Sequence, residues 1–498
     1  MQSPWQRQRE LAAATRRLEA ATDYAQWQVA ARQHDALTGL ARWRKQGNSS
    51  LYDSAELRAR HARLRELIAA GNVHELLYVL NEGIHGNLCG MGRPVLYNRA
   101  LSGTQHLIDH YVATVVEALR CIEAADACEV SLPEKVDFFR RASHCYGRSA
   151  LMMSGGAGLI YFHHGVAQAL VDEDLLPNVL SGASAGSWIC AQIGTRTNIE
   201  LRAGYFDNFR YDLPHHLNAF KVLAGLDPEA NSLTVKQMAI DSFANNMTFQ
   251  EAWEHTGRYI NISIASADRH HASRLLNAIT SPNVYVRSAI DASGSVPGVV
   301  PPVTLYAKGT DGKPKPYLPS QKWVDGSFAQ DLPAKRLSRL FGVNHYIVSL
   351  INPVALPFIR DTKSTPRKTL GDRLRPLAQT LLRDGLEVLE QYGSAIGPSS
   401  LSPALLMLHS LVDQDYIGDI NIILPGDRYR LMNVLFTYDG EPEVRSLIDA
   451  GKRATWPKLA QIRNATLIAR TLDEILARLD AREYGCAPGN FPRITTAT

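Results

Sequence analysis

A serine set between two glycines is the residue of this sequence with the clearest setting for chemistry. Ser184 is the centre of Gly182-Ala183-Ser184-Ala185-Gly186, a Gly-x-Ser-x-Gly pattern. Such a serine sits on a sharp strand-to-helix turn, where the flanking glycines avoid Cβ clashes. The pattern alone is weak, since roughly 0.17 chance matches are expected at this length. Apolar residues 179–180 before it and 188–191 after it predict the required strand and helix, so the sequence predicts a nucleophile for acyl transfer.

A second glycine-rich turn precedes the serine. Gly155-Gly156-Ala157-Gly158 follows a predicted strand and precedes a predicted helix that begins near Leu159. Backbone N–H groups in such a turn can converge on one point, as the tetrahedral oxyanion of acyl transfer requires. The competing interpretation is a phosphate-binding turn. The spacing departs from Gly-x-Gly-x-x-Gly and lacks a Lys-Ser/Thr ending, which favours the oxyanion interpretation.

A nucleophilic serine also needs a base to accept its proton. One candidate is Asp325, in Trp323-Val324-Asp325-Gly326-Ser327, and the others are among the sixteen histidines. His163 and His164 follow the first glycine turn, but neighbours on a helix point in different directions, so at most one of them faces the site. Sequence spacing alone does not choose between aspartate and histidine.

The elements that must position these residues are strands alternating with helices. Helical spacing of apolar residues predicts an α-rich region from residue 6 to about 70, with a stop at Gly71-Asn72, and another helix over 107–125. An exposed loop is predicted from Lys308 to Lys322, because that segment is rich in Gly, Pro and Lys. A stripe of leucines over 370–382 predicts a helix whose apolar face packs in the core or lies on a lipid surface. Short apolar segments predict strands in an α/β fold with a largely parallel sheet: 149–153, 259–265, 344–350 and 419–425.

Composition excludes several function classes. The chain has 498 residues, 45% of them hydrophobic, and a formal charge of only +4 without a basic block, so we expect a globular protein that does not bind nucleic acid. Its six cysteines form no Cys-x-x-Cys pair, which predicts buried thiols and no zinc site. We find neither a signal peptide nor an apolar run near the ~18 residues of a membrane span, and expect a cytoplasmic protein.

Taken together and in this order, three segments resemble the patatin-like phospholipase family: Ser154-Gly155-Gly156-Ala157, the Ser184 pentapeptide and Asp325-Gly326. Members of that family use a Ser–Asp dyad without a catalytic histidine. The resemblance implies a three-layer α/β sandwich with a mostly parallel central sheet, and neither a metal nor an organic cofactor. The roles it implies are nucleophile for Ser184, general base for Asp325, oxyanion donors for Gly155, Gly156 and Ala157, nucleophile elbow for Gly182 and Gly186, and base turn for Gly326.

Further segments are similar to a narrower branch, the patatin-like triacylglycerol lipases of fungal and plant lipid droplets. They include Gly90-Met91-Gly92-Arg93-Pro94, Asp331-Leu332-Pro333 and Arg453-Ala454-Thr455-Trp456-Pro457-Lys458. The sequence departs from many patatins at Ser327, where they have Gly or Ala, and at Gly158, where many bacterial members have a basic residue. The branch implies a helical N-terminal domain over 1–145, a patatin-like catalytic domain over 146–355 and a mostly helical C-terminal region over 356–498.

The expected function is therefore hydrolysis of fatty-acyl esters, of the triacylglycerol lipase type, through an acyl-enzyme. The expected partners are an acylglycerol or phospholipid substrate and, by peripheral contact, a membrane or lipid-droplet surface. Two alternatives stay open: a phospholipase A or lysophospholipase with the same dyad, because no motif reads the head group, and a non-catalytic lipid-surface protein that keeps the fold.

Overall fold

The computed structural model describes residues 4–206, 237, 240–268, 273–297, 300–327, 331–352, 418–425 and 441–484. The leucine stripe predicted over 370–382 lies outside the described residues. The chain divides into two compact units. The first comprises Met1–Ser149, Gly342–His345 and Trp456–Thr498, and the second comprises Ala150–Phe341 and Tyr346–Thr455.

The first unit is helical, as the apolar spacing predicts. Its helices begin and end at recognisable signals: the Asp53 carboxylate accepts the Glu56 N–H at the start of the fourth helix, and Gly71, in the left-handed region, ends it. The predicted stop at Gly71-Asn72 is confirmed. The helices are α1 (Pro4–Ala20), α2 (Tyr24–Thr38), α3 (Leu40–Lys45), α4 (Ser54–Ala70), α5 (Val73–Asn81), α6 (Pro94–Tyr97), α7 (His106–Ala124) and α8 (Leu132–Tyr146).

The second unit is built on a sheet, to which seven strands belong within the described residues, in the order β4-β3-β2-β1-β8-β9, with β7 also paired to β3. Strands β5 and β6 form a separate pair. The described strands are β1 (Arg148–Met153), β2 (Val179–Gly182), β3 (Tyr259–Ser266), β4 (Arg274–Leu276), β5 (Leu305–Lys308), β6 (Pro314–Tyr317), β7 (Trp323–Asp325), β8 (Val343–Leu350) and β9 (Ile420–Ile423). Pairs β1–β2, β2–β3 and β8–β9 are parallel, whereas β4 and β7 run antiparallel to β3. The prediction of an α/β fold with a mostly parallel sheet is confirmed.

Helices alternate with these strands along the sequence. They are α9 (Ile160–Asp172), α10 (Ala185–Gly194), α11 (Asn198–Glu200), α12 (Phe249–Thr256), α13 (Val286–Ser293), α14 (Ala334–Phe341) and α15 (Glu441–Thr455). Strand β1 is buried from Ser149 onward, which is why residues 150–153 read as an apolar run without alternation.

The last described helix, α16 (Leu459–Tyr484), belongs to the first unit. It packs against α7 and α8, and its side chains Leu472, Ile475 and Leu479 are fully buried. Burial of each such side chain contributes about 1.5–3 kcal/mol. The C-terminal segment of the chain is thus divided between the two units. None of the described helices combines the length and apolar character needed to cross a bilayer.

The expectation of a loop over Lys308 to Lys322 is wrong in part. Strands β5 and β6 form an antiparallel hairpin in which Lys308 pairs with Pro314 and Tyr306 with Pro316. Proline lacks the N–H that an interior strand donates, and so it reads as a strand breaker, but a two-stranded ribbon has edges that tolerate it. The turn between the strands and residues 318–322 after β6 remain the loop that the sequence predicts.

Helices α9 and α15 approach each other closely at a glycine. A Cβ built on Gly165 would lie 2.0 Å from the Ile448 carbonyl oxygen, a backbone atom that cannot move aside cheaply. This contact joins a helix next to the glycine turn to a helix from the far end of the second unit's sequence.

We expect Gly165→Ala to destabilise the protein by about 1–3 kcal/mol, because the added methyl overlaps backbone and forces the helices apart. The change is measured as the free energy of unfolding in urea. Asp449→Ala, at an exposed position of α15 next to Ile448, is the control and should shift that energy by less than about 0.5 kcal/mol. Equal effects of the two substitutions would contradict the close approach.

Candidate active site

Ser184 occupies a strained turn between β2 and α10. Its φ is 49° and its ψ is −125°, a backbone conformation that non-glycine residues rarely adopt. A Cβ on Gly182 would lie 2.2 Å from the Gly186 carbonyl oxygen, and one on Gly186 would lie 2.1 Å from the Met153 carbonyl oxygen. Both positions therefore require glycine. The strand–turn–helix setting that the sequence predicts for this serine is present.

Ser293, which the sequence argument did not single out, holds this turn in place. Its hydroxyl accepts the Ser184 N–H at 2.9 Å and donates to the Ser263 carbonyl at 2.8 Å. As the last residue of α13, Ser293 links the turn to strand β3. No spacing rule marks this serine, since its partners lie far away in sequence.

Asp325 ends strand β7, where it pairs with Ile264 of β3. The side chain is 1% exposed, its N–H donates to the Ser295 carbonyl at 2.9 Å, and its Oδ1 accepts the Ser327 N–H at 2.8 Å. Gly326 follows it at a close approach, because a Cβ there would lie 2.3 Å from the Ser263 carbonyl carbon. Hydrogen bonds to backbone groups thus fix both the main chain of Asp325 and one oxygen of its carboxylate.

Burial raises the pKa of Asp325 from 3.8 to about 6, although the hydroxyls of Ser184 and Ser327 and the Ser327 N–H lower it. Oδ2 of this carboxyl is buried and accepts no hydrogen bond of ordinary geometry from the described residues. The Ser184 hydroxyl therefore lies close enough to lower the pKa of the carboxyl without a hydrogen bond of ordinary geometry to Oδ2.

The glycine turn (Gly155-Gly156-Ala157) lies beside both of these residues. A Cβ built on Gly155 would lie 3.2 Å from Ser184 Cβ and 3.1 Å from Ser327 Cβ. The structure thus brings together the glycine turn, the serine turn and the aspartate turn. The Gly155 N–H donates to Asp331 Oδ1 at 2.8 Å, whereas, within the described residues, the N–H groups of Gly156 and Ala157 have no acceptor.

The two candidate histidines on α9 are buried. His163 Nε2 donates to the Ser154 carbonyl at 2.9 Å, which leaves Nδ1 to accept from the Ser349 hydroxyl at 2.6 Å. Burial lowers the pKa of His163 to about 4 and that of His164, which donates to Gln192, to about 3. Because both ring nitrogens of His163 are engaged in positioning the residue before the glycine turn, the geometry favours Asp325 as the base.

Comparison with known proteins decides the family. Residues 3–144 match the model described as Domain of unknown function (DUF3336), and residues 151–337 match the model described as Patatin-like phospholipase. Residues 151–337 thus form a domain of the patatin-like phospholipase family. The predicted resemblance to that family is confirmed, and the match spans the serine turn, the glycine turn and Asp325.

Curated relatives extend the similarity beyond this patatin domain. The chain is 32% identical to "Triacylglycerol lipase SDP1L" of Arabidopsis thaliana, over 93% of this chain and 58% of that protein. It is 30% identical to "Patatin-like phospholipase domain-containing protein" of Pyricularia oryzae, over 94% of this chain and 63% of that protein. The chain thus spans about three fifths of the length of these patatin-family relatives. A solved structure, VipD from Legionella pneumophila, aligns with 61% of this chain and 67% of its own at 11% identity and a TM-score of 0.27, too low to argue from.

We expect Asp325→Asn to stabilise this protein at pH 8 but not at pH 3. Since the native pKa lies near 6 and the unfolded one near 3.8, the native state holds a desolvated charge above about pH 6, at a cost on the order of 2–3 kcal/mol. Well below pH 3.8 the carboxyl is neutral in both states, so the advantage of the amide disappears. The measurement is the difference in Tm between variant and wild type across this pH range; a difference independent of pH would contradict the raised pKa.

Proposed function

We propose that this chain is a serine lipid acyl hydrolase of the triacylglycerol lipase type, working through a Ser184–Asp325 dyad. The observation that carries the proposal is the contact of the glycine turn with the side chains of Ser184 and Ser327, next to a buried carboxylate. Nucleophile, base and oxyanion donors are the parts that acyl transfer requires, and they meet here.

In the first half-reaction, Ser184 Oγ attacks the carbonyl carbon of the ester as its proton passes to Asp325. Negative charge develops on the carbonyl oxygen, where unpaired N–H groups of the glycine turn and the start of α10 can stabilise it. Collapse of the tetrahedral intermediate breaks the ester bond, and the proton on Asp325 goes to the departing alcohol. The product is an acyl-enzyme on Ser184.

In the second half-reaction, a water molecule donates a proton to Asp325 and attacks the acyl carbon. Collapse of this second intermediate returns the proton to Ser184 Oγ and releases the fatty acid. Asp325 suits both steps because its raised pKa makes it a stronger base than an exposed aspartate while it remains ionised at neutral pH. Neither half-reaction requires a metal or an organic cofactor.

The substrate class follows from the relatives. The name of the plant relative supports triacylglycerol, and the description of the family model supports phospholipid as the second candidate. Either substrate is poorly soluble, so we propose that this cytoplasmic enzyme meets it by peripheral contact with a membrane or lipid-droplet surface. A panel of triacylglycerol, diacylglycerol and phosphatidylcholine in one fatty-acid release assay separates the two classes.

We expect Ser184→Ala to abolish long-chain ester hydrolysis and labelling by a fluorophosphonate probe, because no other hydroxyl occupies the strained turn. The loss should be on the order of a thousandfold or more. Ser288→Ala is the matched control: it removes the hydroxyl of a different serine in the same unit, one that accepts the Tyr306 N–H. This variant should keep both activities. An unlabelled wild-type protein would instead support a non-catalytic lipid-surface role, and labelling of the Ser184→Ala variant would refute the nucleophile.

Activity should depend on pH through the Asp325 carboxyl. The ionised form is the base, so kcat/KM for a chromogenic ester should rise tenfold per pH unit below the pKa and level off above about pH 6. Measurement from pH 4.5 to 8.5 tests this shape. The residual activity of Asp325→Asn should lack the rise; a variant that retained it would point to a different base.

A further inference from the structure

The contact that the sequence argument missed at this site joins the glycine turn to a second buried carboxylate. Asp331 is 1% exposed, and its Oδ1 accepts the Gly155 N–H at 2.8 Å across 176 residues of sequence. Its Oδ2 lies 3.5 Å from the Asn352 side-chain nitrogen. Asp331 follows the aspartate turn and precedes α14, so one side chain connects the segment carrying the base to the glycine turn.

The residue before the glycine turn is fixed independently. The Ser154 N–H donates to the Ser349 carbonyl at 3.1 Å, and its hydroxyl accepts the Ile351 N–H at 3.0 Å. Together with the bond from His163 to the Ser154 carbonyl, these contacts tie the start of the turn to β8 and α9. The Ser154 hydroxyl also donates to the Gly155 carbonyl at 3.2 Å, whereas the Gly155 N–H, the first after Ser154, is the one that Asp331 accepts.

A hydrogen bond from a backbone N–H to a carboxylate is shorter and about twice as strong as one between neutral groups. The peptide plane between Ser154 and Gly155 is therefore held at both ends, by His163 at the carbonyl and by Asp331 at the N–H. The bond to Asp331 is the one that orients the N–H side of this plane and, through the chain, the direction of the following N–H groups. It also removes the Gly155 N–H from the donors available to an oxyanion. The N–H groups of Gly156 and Ala157 have no acceptor among the described residues and remain available.

We propose that Asp331 is a positioning residue that orients the glycine turn, and that Gly156 and Ala157, rather than Gly155, supply the turn's oxyanion donors. The catalytic part of this proposal rests on the proposed hydrolase function, whereas the positioning part does not. Asp331 touches no reacting atom; it acts by holding Gly155.

Amide hydrogen exchange tests the positioning in the wild-type protein, independently of catalysis. Residue-resolved exchange over residues 152–159 should show the Gly155 N–H protected, while those of Gly156 and Ala157 exchange roughly 10- to 100-fold faster. Equal exchange rates at the three positions would overturn the proposal. This wild-type measurement also covers the case in which a variant at Asp331 fails to fold.

Variants then separate the carboxylate's hydrogen bond from its charge. Asp331→Leu removes the acceptor and should release the protection of Gly155, whereas Asp331→Asn keeps an acceptor oxygen and should retain most of it. Asp419→Leu, which removes another carboxylate that accepts a backbone N–H in the same unit, is the control and should leave residues 152–159 unchanged. If Asp331→Asn releases the protection of the Gly155 N–H as much as Asp331→Leu does, the acceptor role of Asp331 is contradicted.

Kinetics with a soluble chromogenic ester complete the test. We expect Asp331→Leu to lower kcat roughly 10- to 100-fold with KM within about twofold, because misaligned donors weaken binding of the oxyanion and not of the ester. Asp331→Asn should recover most of kcat. If the wild type neither hydrolyses esters nor reacts with a fluorophosphonate, the proposed function fails while the exchange data still decide the role of Asp331. If the wild type is active and Asp331→Leu keeps full kcat, the catalytic part of the Asp331 proposal fails while the proposed function stands.

Discussion

The left-handed backbone of Ser184 is the constraint on which the second unit depends. A residue with a Cβ adopts this conformation only when its surroundings hold it there, and here the surroundings are backbone atoms at van der Waals limits around Gly182 and Gly186. The Ser293 hydroxyl adds a bond to the strained peptide and anchors it to β3. Strand β2, helix α10 and helix α13 are therefore coupled through one peptide group, and the position of the Ser184 side chain follows from their packing.

The carboxylates of the site are stabilised to different degrees. Asp331 is buried but accepts a backbone N–H and lies near an amide, whereas one oxygen of Asp325 is buried without a regular partner. Burial of an unsatisfied oxygen is unfavourable for folding and favourable for basicity, since the same desolvation that destabilises the charge makes proton uptake easier. The protein thus keeps one incompletely hydrogen-bonded carboxylate near Ser184 and a satisfied one at the glycine turn.

Local pattern was enough to predict the strands and the serine turn, because apolar runs such as 259–265 and glycines beside a serine report directly on backbone geometry. It was not enough for the hairpin, where Pro314 and Pro316 break the local rule and edge pairing permits them. It also missed Ser293 and Asp331, whose partners lie 109 and 176 residues away. A polar residue whose role is set by a distant backbone group has no local signature, so such roles emerge only from the folded chain. The identity of the base, aspartate or histidine, also has no local signature, since it depends on which side chains folding brings next to Ser184.

The placement of α16 has a consequence for how the chain is made. Its side chains Leu472, Ile475 and Leu479 complete the core of a unit whose other helices are all formed from the first 146 residues. During synthesis those N-terminal helices emerge first but lack part of their apolar lining until about 330 further residues have followed. The second unit, by contrast, has its sequence complete by Thr455, before α16 leaves the ribosome. The order of folding is therefore expected to run against the order of the sequence, with the N-terminal unit closing last.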